Sequence, residues 1–536
     1  MEFRKNNFLN FHFDIELFKN KIDNDKLSLR KKEINENIKK KRFLNSNHFL
    51  NLDYNFYNLI NLKQYNYILE QDYYNNNLNK LINNFSQLYE LLCDYKNNIE
   101  VIKTLLTIKE PHEINAIILN FLLDTNDEKI FRISINLLCL LSYVSSEINN
   151  LINNSKINII INKTFNQFKL NSYDVLRSLT IFFNNILVDN TNKDDIILNT
   201  NLIQMIYQLL SNLNLNKNDD NGILYYFNDL MELYCILIEK MLKDNNVYEK
   251  YYEFYSGSIP ILLKFLNFFS YYDNCELLEP LLYNIYLLSQ KNELLLIIIK
   301  NKAMITLPYF FEYLYMTSNY DELTPIILNN KCIIIIFDIL INCFSIEDND
   351  LIDNYYSIEL NDIVNKIIMK YKIYNKNCSE IQYKIVFLLC NMALIKKEKS
   401  NKLFNNKIII NTIFKFYTNN NLLKVLELIQ CMLKIETSEI YYLLLECKCM
   451  NIIKKGLEEK NQNDKIEIYK QCLEDLIEFF ELYNKKFYDN EQKLLINEIK
   501  NNDIDSMINI LNNEYDDEDL INKIETFNNE FKKICN

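Results

Sequence analysis

The amino-acid sequence predicts an all-α protein, a stack of helical repeats rather than a set of separate globules. Three observations carry that expectation. Apolar residues recur at three- and four-residue spacing almost throughout, the period of one helix face. Helix breakers are scarce, with three glycines and five prolines in 536 residues. Asn/Asp clusters interrupt the apolar runs roughly every 40 to 50 residues, the period of helical repeat units.

Each element follows from local chemistry. Residues 1–50 read as a basic arm: between 19 and 42 stand ten Lys/Arg against four acids, net +6 on a chain whose total is −12. The remainder therefore carries −18, an asymmetry that marks a segment built for interaction. Residues 60–485 read as the repeat array, a single solenoid in which neighbouring units bury a continuous core between them. Within it Asn153-Asn154-Ser155, Asp189–Asp195, Asn216–Asn221, Asp348–Asn354 and Asn419–Asn421 stand where helices begin or turn. Asn and Asp suit such places because their side chains bond nearby backbone groups. Pro111, Pro280 and Pro325 each precede an apolar periodic run, and the first helical position tolerates proline because its N–H would be unused there. Five segments have the pattern of a long inner helix: Phe131–Glu147, Val175–Asn190, Leu278–Gln290, Ile381–Ile395 and Val425–Ile435. Residues 486–536 read as an acidic tail, on the run Glu514-Tyr515-Asp516-Asp517-Glu518-Asp519.

Composition excludes several kinds of chemistry. With only Gly222, Gly257 and Gly456 available, no GxGxxG, GxxxxGK or GxSxG loop exists, and those loops need backbone that glycine alone readily adopts. The histidines, His12, His48 and His112, all fall in the first quarter, so no distributed Cys/His metal site is expected. The 13 cysteines form no CxxC pair and read as small core residues in a reducing compartment. The first 20 residues mix charges with aromatics, unlike a signal peptide. Apolar runs such as Leu294–Ile299 and Ile333–Phe337 fall well short of the roughly 20 residues a membrane span needs. A soluble, non-enzymatic protein without cofactor or metal is expected.

A more specific expectation comes from the C-terminal part. The run Leu445-Glu446-Cys447-Lys448-Cys449-Met450-Asn451-Ile452-Ile453 is followed by Asn463-Asp464-Lys465-Ile466-Glu467-Ile468-Tyr469-Lys470 and closed by Leu476-Ile477-Glu478-Phe479-Phe480. It resembles the last armadillo repeat of the importin α family, whose pattern is I-E-E-C-G-G-L-x-K-I-E, then H-E-N-x-x-x-Y-K, then I-x-x-[YF]-F. Leu176-Arg177-Ser178-Leu179-Thr180 resembles the L-R-N-L-T opening one inner helix of that family, and Glu279-Pro280-Leu281-Leu282 the T-P-A-L of another. Phe18-Lys19-Asn20-Lys21, Leu27-Ser28-Leu29-Arg30-Lys31 and Lys40-Lys41-Arg42 are similar to its importin-β-binding segment, although the arginine tetrad usual between the first two is missing. The resemblance implies a right-handed α-solenoid of about nine to ten armadillo repeats with an N-terminal basic arm.

It also implies a function. Family members hold basic nuclear localisation signals on paired Trp and Asn four residues apart, which share a helix face. The indoles flank aliphatic Lys stems while Asn grips the peptide backbone. This chain has no Trp. Carried over, the ladder falls on Ile135/Cys139, Ile181/Asn185, Asp338/Asn342 and Phe387/Asn391, so Asn185, Asn342, Asn391 and Phe387 become the cargo-signal residues. Lys19, Lys21, Arg30, Lys31, Lys40, Lys41 and Arg42 become the importin-β-binding and autoinhibitory residues, the last three by folding back onto the cargo groove. The expected protein is a nuclear import adaptor that shuttles between cytoplasm and nucleus. Its partners would be importin β and basic-signal cargo, with an export receptor at the last repeat and acidic tail, and neither nucleic acid nor membrane. The alternative is an armadillo scaffold that has lost recognition of cargo signals.

Overall fold

The computed structural model describes residues 112–144, 151–170, 173–189, 193–213, 221–269, 278–304, 306–307, 323–346, 365, 368, 379–394, 404, 406–415, 421–459, 465–486, 489–515 and 517–535. Among them every regular element is a helix. In order they are α1 (His112–Asp124), α2 (Glu128–Val144), α3 (Asn154–Asn162) with a π-helical turn (Lys163–Gln167), α4 (Tyr173–Asp189), α5 (Lys193–Asn199), α6 (Leu202–Asn212) and α7 (Asn221–Lys243). Then come α8 (Asn245–Phe269), α9 (Leu278–Leu288), α10 (Asn292–Lys300), α11 (Leu323–Phe344), α12 (Ser379–Ala393), α13 (Lys407–Ile413) and α14 (Leu422–Leu433). The last six are α15 (Ser438–Glu446), α16 (Cys449–Glu458), α17 (Lys465–Lys486), α18 (Asp489–Asn501), α19 (Ile504–Glu514) and α20 (Glu518–Cys535). The five segments read as inner helices correspond to α2, α4, α9, α12 and α14.

Local signals act as expected where they are visible. Asn153 caps α3, its side-chain oxygen accepting from the Lys156 N–H at 3.1 Å, and Asn406 caps α13 by accepting from the Ile408 N–H at 3.1 Å. Pro280 and Pro325 fall in the first turns of α9 and α11, where no intrahelical N–H is lost. Pro260 lies inside α8, whose helical geometry breaks at Tyr251.

The described residues cluster into two compact units. The first lies within Met1–Leu202 and Asn221–Leu233, the second within Ile203–Asp220 and Tyr234–Asn536. In the first, α2 packs on α1 and α4. In the second, α9, α11, α12, α14, α17 and α20 form a row in which each packs on the next. Shorter helices fill the intervals, so α15 and α16 precede α17, and α18 and α19 precede α20. The core sits between repeats. On α17, Leu473, Leu476, Phe479 and Phe480 are wholly buried; Phe480 meets Phe527 of α20 at 5.4 Å, and Phe479 meets Tyr441 of α15 at 5.4 Å. Burying one such side chain contributes about 1.5–3 kcal/mol.

The acidic tail is a correction. Asp489–Asn501, Ile504–Glu514 and Glu518–Cys535 are three helices, α18 packed on α15, α19 on α16 and α20 on α17, and they bury Leu495, Ile499, Ile504, Ile508, Leu520, Ile524 and Phe527. Tyr515 and Asp517 of the acidic run stand between α19 and α20. Asp517 accepts from the Leu520 N–H at 2.9 Å, capping α20, and Lys470 of α17 meets Asp517 and Asp519 at 3.1 and 3.2 Å. Those two contacts, the backbone bond first, hold the Asp517 carboxyl below its ordinary pKa. Charge density misled the sequence reading here because apolar spacing extends up to the run and resumes after it, at Ile508, Leu511, Leu520 and Ile524.

Scarcity of glycine leaves its mark at the turns. Lys302, Lys448 and Asp503 follow α10, α15 and α18, each with φ between 54° and 63°. Left-handed backbone costs a residue with a Cβ roughly 1–2 kcal/mol. Lys448→Gly should therefore raise stability by about 1 kcal/mol, read as a higher urea midpoint of the C-terminal transition. Gly456 is retained for a different reason: a Cβ there would lie 2.4 Å from Sγ of Cys472, which is fully buried on α17. Gly456→Ala should destabilise by about 1–3 kcal/mol through overpacking. Adding Cys472→Ala should restore much of that loss in thermal denaturation, because it removes the clashing sulfur.

Candidate protein-interaction face

The row helices bury one side against their neighbours and leave a second side half-exposed. The sequence-predicted ladder lies partly buried and partly half-exposed on these helices, and its polar groups link successive repeats. In the first unit, Asn185 of α4 donates from Nδ2 to Oγ of Ser142 on α2 at 3.0 Å. Ser142 in turn donates to the Cys139 carbonyl at 2.9 Å. The second unit repeats the device: Asn342 of α11 donates to Oγ of Ser289 at 2.8 Å, and Ser289 donates to the Tyr286 carbonyl at 2.6 Å. Asn391 of α12 donates to the Ile341 carbonyl of α11 at 3.3 Å. Each ladder asparagine thus reaches back to the preceding row helix and spends one of its two amide protons there.

The burial of the three differs. Asn342 is 5% exposed and shut inside the stack, whereas Asn185 and Asn391 are half-buried. Of the remaining ladder positions, Ile135 and Cys139 are buried, and Ile181 is half-buried.

Ion pairs also join neighbouring helices within each unit. Arg177 of α4 meets Asp229 of α7 at 2.8 Å, and Lys523 of α20 meets Glu474 of α17 at 2.6 Å. Lys384 of α12 pairs with Asp338 of α11, the two side chains each 11% exposed. Burial acts to lower the Lys384 ammonium, but Asp338 more than restores it, leaving the group above its ordinary pKa. Phe387, the expected aromatic wall, has a lysine already in place. Nζ of Lys424 on α14 lies 4.8 Å from the ring centroid and 2.5 Å from Glu427. Burial pulls that ammonium down, and Glu427 beside it holds it above the ordinary lysine value.

Sequence reasoning did not find Lys384, Lys424, Ser142 or Ser289. The signal available for Lys384 was its spacing: it stands 46 residues after Asp338, one repeat along. Lys19, Lys21, Arg30, Lys31, Lys40, Lys41 and Arg42 lie outside the described residues. Among the described residues no group of His, Cys, Asp or Glu is placed to hold a metal ion, and no helix is long and apolar enough to cross a membrane.

No protein-family model matches the chain, and no curated protein matches its sequence. Solved structures do. One, reported under the words "A conserved phosphorylation switch controls the interaction between cadherin and beta-catenin in vitro and in vivo", has 10% identity and a TM-score of 0.50, covering 85% of this chain and 96% of that one. A second, the crystal structure of SYS-1, has 12% identity and a TM-score of 0.45 over 84% of this chain and 88% of that one. A structure of importin β has 9% identity and a TM-score of 0.27 over 85% and 74%. The first likeness establishes the fold, and the chain is an all-α solenoid of the armadillo type.

The buried pair gives a direct test. Lys384→Met leaves the Asp338 carboxylate buried without its cation and should cost about 3–5 kcal/mol. Combining it with Asp338→Leu should recover most of that stability, since two apolar groups of similar volume replace the pair. Thermal denaturation of the two single variants and the double variant reads the difference.

Proposed function

We propose that the protein is an interaction scaffold that receives an extended segment of a partner along its row helices, and that it serves as a nuclear import adaptor. In this reading the half-exposed side of α4 and α12 holds a basic localisation signal. Asn185 and Asn391 grip the peptide backbone, and Phe387 flanks a lysine stem. The arm of residues 1–50 binds importin β through Lys19, Lys21, Arg30, Lys31, Lys40, Lys41 and Arg42, and the protein shuttles between cytoplasm and nucleus. An export receptor engages the C-terminal repeats. The observation that supports the reading best is the Phe387/Asn391 pair on α12, an aromatic and an amide four residues apart and both half-buried. That pair already holds a cation: the Lys424 ammonium sits over the ring as a cargo lysine would.

The same contact favours a second reading. Lys384 and Lys424 belong to the protein itself and are tightly paired with Asp338 and Glu427. A face whose lysine-receiving positions are filled from within suits a scaffold whose partner is not basic.

A pull-down with the full-length protein separates the two readings. The adaptor should recover importin β and basic-signal proteins, and deletion of residues 1–45 should abolish importin β recovery while helical content stays almost intact. For a fluorescent basic signal peptide, Lys424→Ala should tighten binding by roughly two- to fivefold by vacating the ring, the worth of an exposed cation–π contact. Phe387→Ala should weaken it by a similar factor. Recovery of importin β that survives the deletion, together with no peptide binding in any variant, would leave the scaffold reading in place.

A further inference from the structure

Asp475 on α17 is a carboxyl group that the face described above does not use. It is completely buried. Its Oδ1 accepts a hydrogen bond from Nε2 of Gln471, one turn earlier, at 3.0 Å, while its Oδ2 is buried without a partner. Among the described residues no cation forms an ion pair with it, and Lys434 acts on it only through its charge. An isolated carboxylate in such a place would cost far more than a neutral acid, because the charged form loses its hydration and gains no counter-charge.

The surroundings sharpen the point. Cys431 of α14 and Glu474 of α17 itself act to raise it, Lys434 just past the end of α14 acts to lower it, and the thiols of Cys449 on α16 and Cys472 on α17 feel its charge in return. Glu498 of α18 acts on Cys449 from the far side. From α20, Lys523 is engaged with Glu474 at 2.6 Å rather than with Asp475. Burial pushes the Asp475 carboxyl well above the usual carboxylate range; the Gln471 bond opposes this and Glu474 adds to it. Burial likewise keeps the Cys449 and Cys472 thiols well above their ordinary pKa.

We propose that Asp475 is a proton-operated latch: as a neutral acid it lets α14, α16 and α17 close on one another, and on ionisation it loosens that junction. The direction follows from linkage. In the opened or unfolded chain the carboxyl ionises near its ordinary pKa of about 3.9, whereas in the closed state it keeps its proton to higher pH. Between those two values closure binds a proton, so stability is lost as pH rises. The closing equilibrium falls tenfold per pH unit in that window and flattens above the closed-state pKa.

Hydrogen–deuterium exchange on the full chain tests this through peptides spanning 449–458 and 465–486, corrected for the base dependence of chemical exchange. From pH 5 upward, wild-type protection in these two peptides should fall by close to tenfold per unit until the group ionises. Asp475→Asn keeps the acceptor for Gln471 and cannot ionise, so its corrected protection should stay within about threefold across the same range. Peptides from α2 and α4 should show no difference between the two proteins. Wild type and Asp475→Asn with parallel pH profiles would overturn the proposal. If Asp475→Asn does not fold, Asp475→Ser takes its place. A wild-type series flat from pH 5 to 9 overturns the proposal without any variant.

Discussion

Everything in this structure depends on the burial of each row helix against the row helices before and after it. None of these helices has an apolar face it could bury alone. Phe480 is covered only because α20 brings Phe527 and Phe531 to it, at 5.4 and 6.0 Å. The same holds for the C-terminal helices, which look charged in sequence yet fold because α17 would otherwise present that surface to water. A stack of this kind has no single centre, and its stability is a sum of neighbour interfaces.

Apolar burial alone does not say how far one helix slides along the next. The polar contacts do. Asn185 to Ser142 and Asn342 to Ser289 are the same clasp built twice, each closed by a serine that bonds the carbonyl three residues earlier. Directional bonds of this type contribute little net energy but punish misregister, since a buried amide without a partner is costly. The Lys384–Asp338 pair works in the same way and more severely. The ladder residues are therefore also residues that set the stacking.

The glycine-poor composition shifts cost onto the turns. Lys302, Lys448 and Asp503 hold left-handed backbone where a glycine would sit without strain. Neighbouring packing carries that cost. Gly456 stays glycine because the constraint there is space, not backbone angle: Cys472 leaves no room for a Cβ. Conformational strain is spread over a helix interface and tolerated, whereas a clash with a buried sulfur is met at one atom.

By itself the sequence determined the helices, the repeat period, the placement of Pro280 and Pro325 in first turns, and the five inner helices, because those depend on 3.6-residue spacing and on chemistry within a few residues. The Asn153 cap was legible for the same reason. Only the tertiary structure decided what the ladder asparagines bond to, that Lys424 fills the place beside Phe387, and that Asp517 and Asp519 of the acidic run are held by Lys470. Those outcomes join residues between 37 and 53 positions apart. Their pairing turns on the register between stacked helices, which periodicity leaves open by whole turns and which packing and directional bonds close.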